Sequence, residues 1–183
     1  MEPMPAEFYL ARTRAWTEQF VVGLRLCPFA LPVLDAQRVR FAFSEARDER
    51  TLYLHFLREI QLLLDHSAEN IETTLLVHPF VLLDFLDYND FLATLDDAIR
   101  VADLEGVIQV ASFHPEYLFG GEDLHDASHF TNRSPYPMVH LLREASVEAA
   151  LTNYPESRRI PERNIVTMRA VGVAKLRTML AEL

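Results

Sequence analysis

The sequence lacks several features that would quickly class a protein of 183 residues. It contains one cysteine, Cys27, so no disulfide can form within the chain. Its start, "MEPMPAEFYLARTRAW", has no basic and then apolar leader, and no apolar run approaches the roughly 20 residues that cross a bilayer. These absences predict one globular domain, residues 1–183, in the cytoplasm and without a membrane partner.

Positive charge and the common cofactor motifs are also scarce. Lys and Arg number 17 against 27 Asp and Glu, and the resulting net charge of -10 repels nucleic acid, so no nucleic-acid partner is expected. No Walker, GxGxxG or G-x-S-x-G motif occurs, so a nucleotide cofactor and serine-hydrolase chemistry lack support. The basic stretch from Arg158 to Arg177 is interpreted as a helix docking on an acidic body, with an anionic partner as the alternative.

Hydrophobic patterns predict alternating strands and helices. The alternation in "RVRFAF" indicates a strand, "TTLLVHP" reads as a strand buried on both faces, and "VIQVASFHP" reads as a third strand. Apolar stripes and caps predict the helices, which are placed at about 6–26, after Asp48, from Asp84, at about 137–150 and at about 161–183.

This order of elements favours an α/β fold with a small, mainly parallel sheet and helices on both faces. Residues 39–43, 73–78 and 107–113 are predicted to be adjacent parallel strands, with 73–78 central. The two middle helices should cover one face, and the first and last helices the other. A ferredoxin-like α+β arrangement is the alternative.

Two predicted strands end in the same dipeptide, His78-Pro79 and His114-Pro115. The carboxyl ends of parallel neighbours meet at one edge of a sheet, where open α/β sheets bind ligands. Two imidazoles at that edge could bind a metal, move a proton or donate to an anion. The alternative is that each ring caps its strand through a backbone hydrogen bond.

The connection 115–136 is longer than ordinary loops, which indicates a functional or disordered segment, and its aromatic content argues against disorder. Its residues Asp123, His125, Asp126 and His129 are spaced plausibly for a divalent metal, but they match no tight metal template. A solvated polar loop is the alternative for His125 and His129, so the cofactor stays open.

The stretch "NRSPYPMVHLLRE" follows that loop. If it is helical, Tyr136, His140 and Arg143 share one face, and Arg133 lies just before the helix N-terminus, where an anion can bind. The alternative is a structural Arg–Glu network that closes the loop. Cys27 is interpreted as a packing residue, because a helix C-terminus disfavours a thiolate.

The blocks "RLCPFA", "TTLLVHP", "DFLDYNDFL", "QVASFHPEYLF", "FTNRSPYPMVHLLREASVE" and "IPERNI" resemble an uncharacterised bacterial family, the domain of unknown function 1415. The resemblance covers nearly the whole chain and implies a stand-alone bacterial cytosolic protein, but no activity. Its implied signature positions are Cys27, His78, His114, Tyr117, Asn132, Arg133, Ser134, Tyr136, His140, Arg143, Glu144 and Asn164.

The leading hypothesis is a small-molecule enzyme for an anionic substrate, with its site at the strand carboxyl edge. Its candidate catalytic residues are His78, His114 and His140, and its candidate substrate-binding residues are Tyr117, Arg133, Ser134, Tyr136 and Arg143. One alternative is a non-catalytic module that binds an anionic metabolite. The other is a structural protein whose aromatic loop packs against a second copy, forming a homo-oligomer.

Overall fold

The computed structural model describes residues 4–154 and 156–183. The strands are β1 (Val39–Phe43), β2 (Thr73–Val77), β3 (Ile108–Phe113) and β4 (Met138–Arg143). The α-helices are α1 (Ala6–Ala15), α2 (Ala30–Asp35), α3 (Glu49–Asp65), α4 (Phe85–Val101), α5 (Glu144–Thr152), α6 (Ile160–Val171) and α7 (Val173–Ala181). A π-helix (Trp16–Val22) continues α1, and 3₁₀ turns occur at Ala127–Thr131 and Ser157–Arg159.

The α/β class is confirmed, and the sheet is mixed. The strand order is β1-β2-β4-β3. β1 and β2 pair in parallel, whereas β4 pairs antiparallel with both β2 and β3. The three predicted strands run in one direction, but β2 and β3 are not neighbours, because β4 lies between them. The prediction that all three are adjacent was therefore wrong.

That error comes from the segment after the long loop, which was predicted to be a helix at about 137–150. Residues Met138–Arg143 form a strand instead, and α5 begins only at Glu144. Both faces of this strand are covered: Val139 and Leu141 pack into one core, and Met138 packs into the other. An apolar run buried on both faces fits a central strand, and the hydrogen-bonding edges of β2 and β3 outweigh its helical spacing.

Helices cover both faces of the sheet, as predicted. On one face, α3 and α4 pack with Leu76, Val139 and Leu141. On the other face, the π-helix, α6 and α7 pack with Leu75, Val77 and Met138. The alternation of neighbouring β2 residues between the two cores explains why "TTLLV" is buried along its whole length.

Helix boundaries follow the local chemistry of their ends. The carboxylate of Asp48 accepts a hydrogen bond from the Thr51 N–H at 2.8 Å, and Asp84 caps α4 as predicted. The predicted helix 161–183 is broken at Gly172, whose φ of 84° suits glycine and separates α6 from α7. The predicted helix 6–26 leaves α-geometry at Trp16, where the π-helix begins.

The basic stretch near the C-terminus docks on acidic groups of the long loop. Arg169 of α6 donates to Asp126 at 3.1 Å and to Glu122 at 2.9 Å. Both contacts are exposed, so they orient the loop more than they stabilise it. Among the residues that the structure describes, no helix combines the length and apolar character needed to cross a bilayer.

Candidate functional site

The rings of the two strand-end histidines both pack near the ring of Tyr88. The ring centroids of His78 and Tyr88 are 5.9 Å apart, and those of Tyr88 and His114 are 5.0 Å apart. Both imidazoles are 0% exposed. Both histidines therefore follow the carboxyl ends of their strands, and their rings are buried in the core around Tyr88.

His78 is a neutral, buried imidazole with one nitrogen bonded. Its Nδ1 lies 3.2 Å from the Val81 carbonyl, which can only accept, so Nδ1 carries the proton. Its Nε2 has no hydrogen-bond partner among the described residues. Burial lowers the pKa of His78 to about 4, the Val81 carbonyl opposes this effect, and nearby His114 adds to it.

His114 has both ring nitrogens bonded to the backbone. Its Nε2 donates to the Leu82 carbonyl at 3.2 Å, and its Nδ1 accepts from the Glu116 N–H at 3.0 Å. Burial lowers the pKa of His114, although the Leu82 carbonyl opposes it. These contacts match the strand-capping alternative for this residue.

The predicted substrate-binding residues of the long loop contact other loop residues and the helices α1 and α4. The Arg133 Nε donates to the Tyr117 carbonyl at 3.2 Å, and its guanidinium lies 4.6 Å from the Phe130 ring centroid. Ser134 is buried and donates to the Tyr136 carbonyl at 2.7 Å. The Tyr136 ring packs edge-on against Tyr9, and Tyr117 packs against Phe85.

Arg143, the last residue of β4, ties that strand to the end of α3. Its guanidinium donates to the carbonyls of Leu63, His66 and Ile71, with the Ile71 contacts at 3.0 and 3.1 Å. Those carbonyls include helix C-terminal groups that have no intrahelical partner. The guanidinium is therefore occupied by the protein's own backbone.

The structure divides the residues that were expected to share one cleft. His140 lies on the opposite face of the sheet from Val139 and Leu141, and it lines a cavity that includes neither strand-end histidine nor Arg133. The cavity has a volume of about 290 Å³, and residues of all four strands line it. Its walls are mostly apolar and include Trp16, Val33, Leu75, Phe113, Leu142 and Val147. Its polar lining residues are Thr17, Cys27, Glu72, Thr73, Gln109, His140, Arg143 and Ser146.

His140 is bound to Thr73 of the neighbouring strand. Its Nε2 lies 2.6 Å from the Thr73 hydroxyl, which also lies 2.6 Å from the Leu141 carbonyl. Burial lowers the pKa of His140 to about 4, so the ring is neutral near pH 7. A neutral imidazole in an apolar cavity can accept or donate one directed hydrogen bond.

The family profile described as "Protein of unknown function (DUF1415)" matches residues 9–178. The chain belongs to this family. No curated protein and no solved structure matches the chain. The profile match confirms the family predicted from sequence. Within the described part of this DUF1415 protein, no group of three or more His, Cys, Asp or Glu side chains is arranged to hold a metal ion.

Cys27, interpreted from sequence as a packing residue, lines this cavity. Trp16, Thr73 and Gln109 were also missed as lining residues. No local signal could have found them, because these residues lie on four different elements or connections. The resemblance to the DUF1415 family had marked Cys27 and His140, although it did not indicate that they share a site.

The rate at which the Cys27 thiol is labelled tests whether it is shielded in the folded protein. It is half-buried, and burial raises the pKa of its thiol, with the Phe29 and Ala30 N–H groups opposing the effect. We expect a thiol reagent near neutral pH to label Cys27 slowly in the native protein and rapidly in denaturant, because the thiolate is the reactive form. Timed labelling followed by intact mass measures both rates. Native labelling as fast as in denaturant would contradict this account.

Proposed function

We propose that this DUF1415 protein binds a small, largely apolar molecule in the cavity between the sheet, α2 and α5. The observation that carries the proposal is an apolar cavity of about 290 Å³ with a neutral imidazole in its lining. Apolar pockets with a few convergent polar groups are the usual form of small-molecule sites. An apolar cavity of about 150 Å³ already admits benzene, so this one has room for a two-ring molecule.

The charges around the cavity favour an uncharged ligand over the anionic substrate expected from sequence. Arg143, the cationic side chain among the described lining residues, already donates to three backbone carbonyls. Glu72 is paired with Arg38 at 3.1 Å. A buried anion without a free cation would lose its hydration and gain little in return.

The protonation states of Cys27 and His140 argue against catalysis by these two residues and favour a site that only binds its ligand. Burial raises the pKa of the Cys27 thiol and lowers the pKa of His140 to about 4. Near pH 7 both groups are therefore neutral, and a thiolate–imidazolium pair does not form. This supports a non-catalytic binding role over an enzyme, but for an uncharged ligand and not for the anionic metabolite expected from sequence.

The mouth of the cavity suits a ligand that enters and leaves. Residues of α2 and of α5 line the cavity, and neither of these short helices buries a residue of its own. Elements with few buried contacts open at low free-energy cost. We place the entry route between these two helices.

A titration with β-naphthol tests the proposal. The chain has one tryptophan, and Trp16 lines the cavity, so its indole N–H gives one NMR signal that reports on the site. We expect this signal to shift saturably as β-naphthol is added. Val147→Phe should remove the shift, because a larger side chain on α5 fills the cavity.

Ala149→Phe is the matched control. It adds an aromatic side chain to the same helix at an exposed position that does not line the cavity, so the shift should persist. An equal loss of the shift in both variants, or no saturable shift in the unaltered protein, would contradict the proposal.

A further inference from the structure

The hydroxyl of Thr73 fixes the proton position on His140. The Leu141 carbonyl, 2.6 Å from the Thr73 Oγ1, can only accept a hydrogen bond, so it receives the single hydroxyl proton. The His140 Nε2 lies 2.6 Å from the same oxygen, which has no second proton to give. Nε2 must therefore carry the ring proton and donate it to Thr73.

The other ring nitrogen of His140 is then a bare acceptor. Nδ1 makes no hydrogen bond with any of the described residues, and His140 lines the cavity. The polar neighbours Gln109, Ser146 and Cys27 are not restricted to accepting a hydrogen bond. Each can rotate to donate or to accept, so none of them distinguishes a donor ligand from an acceptor ligand.

We infer that the molecule bound in this cavity is an uncharged hydrogen-bond donor, with a hydroxyl or N–H on an apolar body directed at the His140 Nδ1. This inference rests on the proposed function and adds the chemical class of the ligand. A carboxylate, ketone or ether would set a lone pair against the lone pair of Nδ1. Such a ligand would leave that nitrogen unpaired in an apolar site, which is costly. Thr73 is a positioning residue, because it acts through His140.

Three ligands of similar shape test the inference through the Trp16 indole signal. β-Naphthol has a donor, β-methylnaphthalene has the same size without a polar group, and β-methoxynaphthalene offers only an acceptor. We expect β-naphthol to bind roughly tenfold more tightly than either of the others, the value of one well-placed hydrogen bond. The free energy of transfer from water would by itself make β-methylnaphthalene bind more tightly than β-naphthol. Tighter binding of β-naphthol therefore requires a polar contact.

Substitutions of Thr73 test the source of the preference. Thr73→Val removes the hydroxyl, which frees His140 to exchange its proton between the two nitrogens. The preference for β-naphthol over β-methoxynaphthalene should then fall to within about twofold, because a neutral imidazole can place its proton on either nitrogen. Thr73→Ser keeps the hydroxyl and should keep the tenfold ratio. Gln109→Leu should also keep it, because Gln109 does not set the ring proton.

A measurement on the unaltered protein does not depend on how these variants fold. The ¹⁵N chemical shifts of the His140 ring distinguish a protonated nitrogen from a bare one, and we expect the proton on Nε2. A proton on Nδ1, equal binding of all three ligands, or loss of the ratio in Gln109→Leu would overturn the inference. Equal binding would still leave the proposed function standing, whereas no response of the Trp16 signal to any ligand would remove both.

Discussion

Replacing Tyr88 by Phe should lower the free energy of unfolding by about 2–4 kcal/mol, although it removes a single oxygen atom. The Tyr88 hydroxyl donates to the Met138 carbonyl at 2.8 Å and accepts from the Phe113 N–H at 3.1 Å. Met138 and Phe113 face each other in the β3–β4 pairing. Tyr88 and Met138 are 0% exposed, so Phe at position 88 would take a hydrogen-bond partner from the buried Met138 carbonyl and from the partly buried Phe113 N–H.

Tyr53→Phe is the control for this substitution. Tyr53 packs partly buried against the same core, and the structure gives its hydroxyl no partner among the described residues. Urea unfolding followed by circular dichroism gives both free energies. If Tyr88→Phe costs no more than Tyr53→Phe, the hydroxyl does not join β3 to β4 as the distances indicate.

Acidification from about pH 7.5 to about pH 4.5 should destabilise the protein, with His78 alone contributing roughly 2–3 kcal/mol. Burial lowers the pKa of His78 from 6.5 to about 4 in the folded state. Between these values the unfolded chain binds a proton that the folded chain does not, so the free energy of unfolding falls as the pH falls. Above about pH 7.5 the histidine is neutral in both states, and its titration no longer changes the free energy of unfolding.

His78→Phe should flatten this dependence, because the neighbouring Tyr88 and His114 would then pack against an aromatic ring that cannot be protonated. His140, whose pKa burial lowers to about 4, contributes in the same direction and will leave part of the slope. His125→Phe, at an exposed position, is the control and should keep the full slope. Urea unfolding at several pH values gives the free energy of unfolding of each protein, and hence its slope against pH. Equal slopes for His78→Phe and the unaltered protein would show that His78 is not protonated on unfolding.

The sequence by itself determined the elements that depend on local signals. The strand 39–43 and the cap at Asp84 are found where their patterns place them, since alternation and capping involve residues a few positions apart. The stretch "TTLLV", with no charged residue and three successive apolar ones, already predicted cover on both faces of the sheet, and helices provide it. Placing His78 and His114 at one edge also followed from strand direction.

Only the tertiary structure decided the rest. β4 forms because β2 and β3 offer it two hydrogen-bonding edges, and no periodicity within "MVHLLR" encodes that partnership. The pairing of His140 with Thr73 joins residues 67 positions apart, and it exists only because β4 lies beside β2. The cavity depends on the same insertion, since its walls come from elements that meet only after the sheet has assembled. Local patterns specify which side chains turn inward, but the contacts they make there are decided by packing between distant segments.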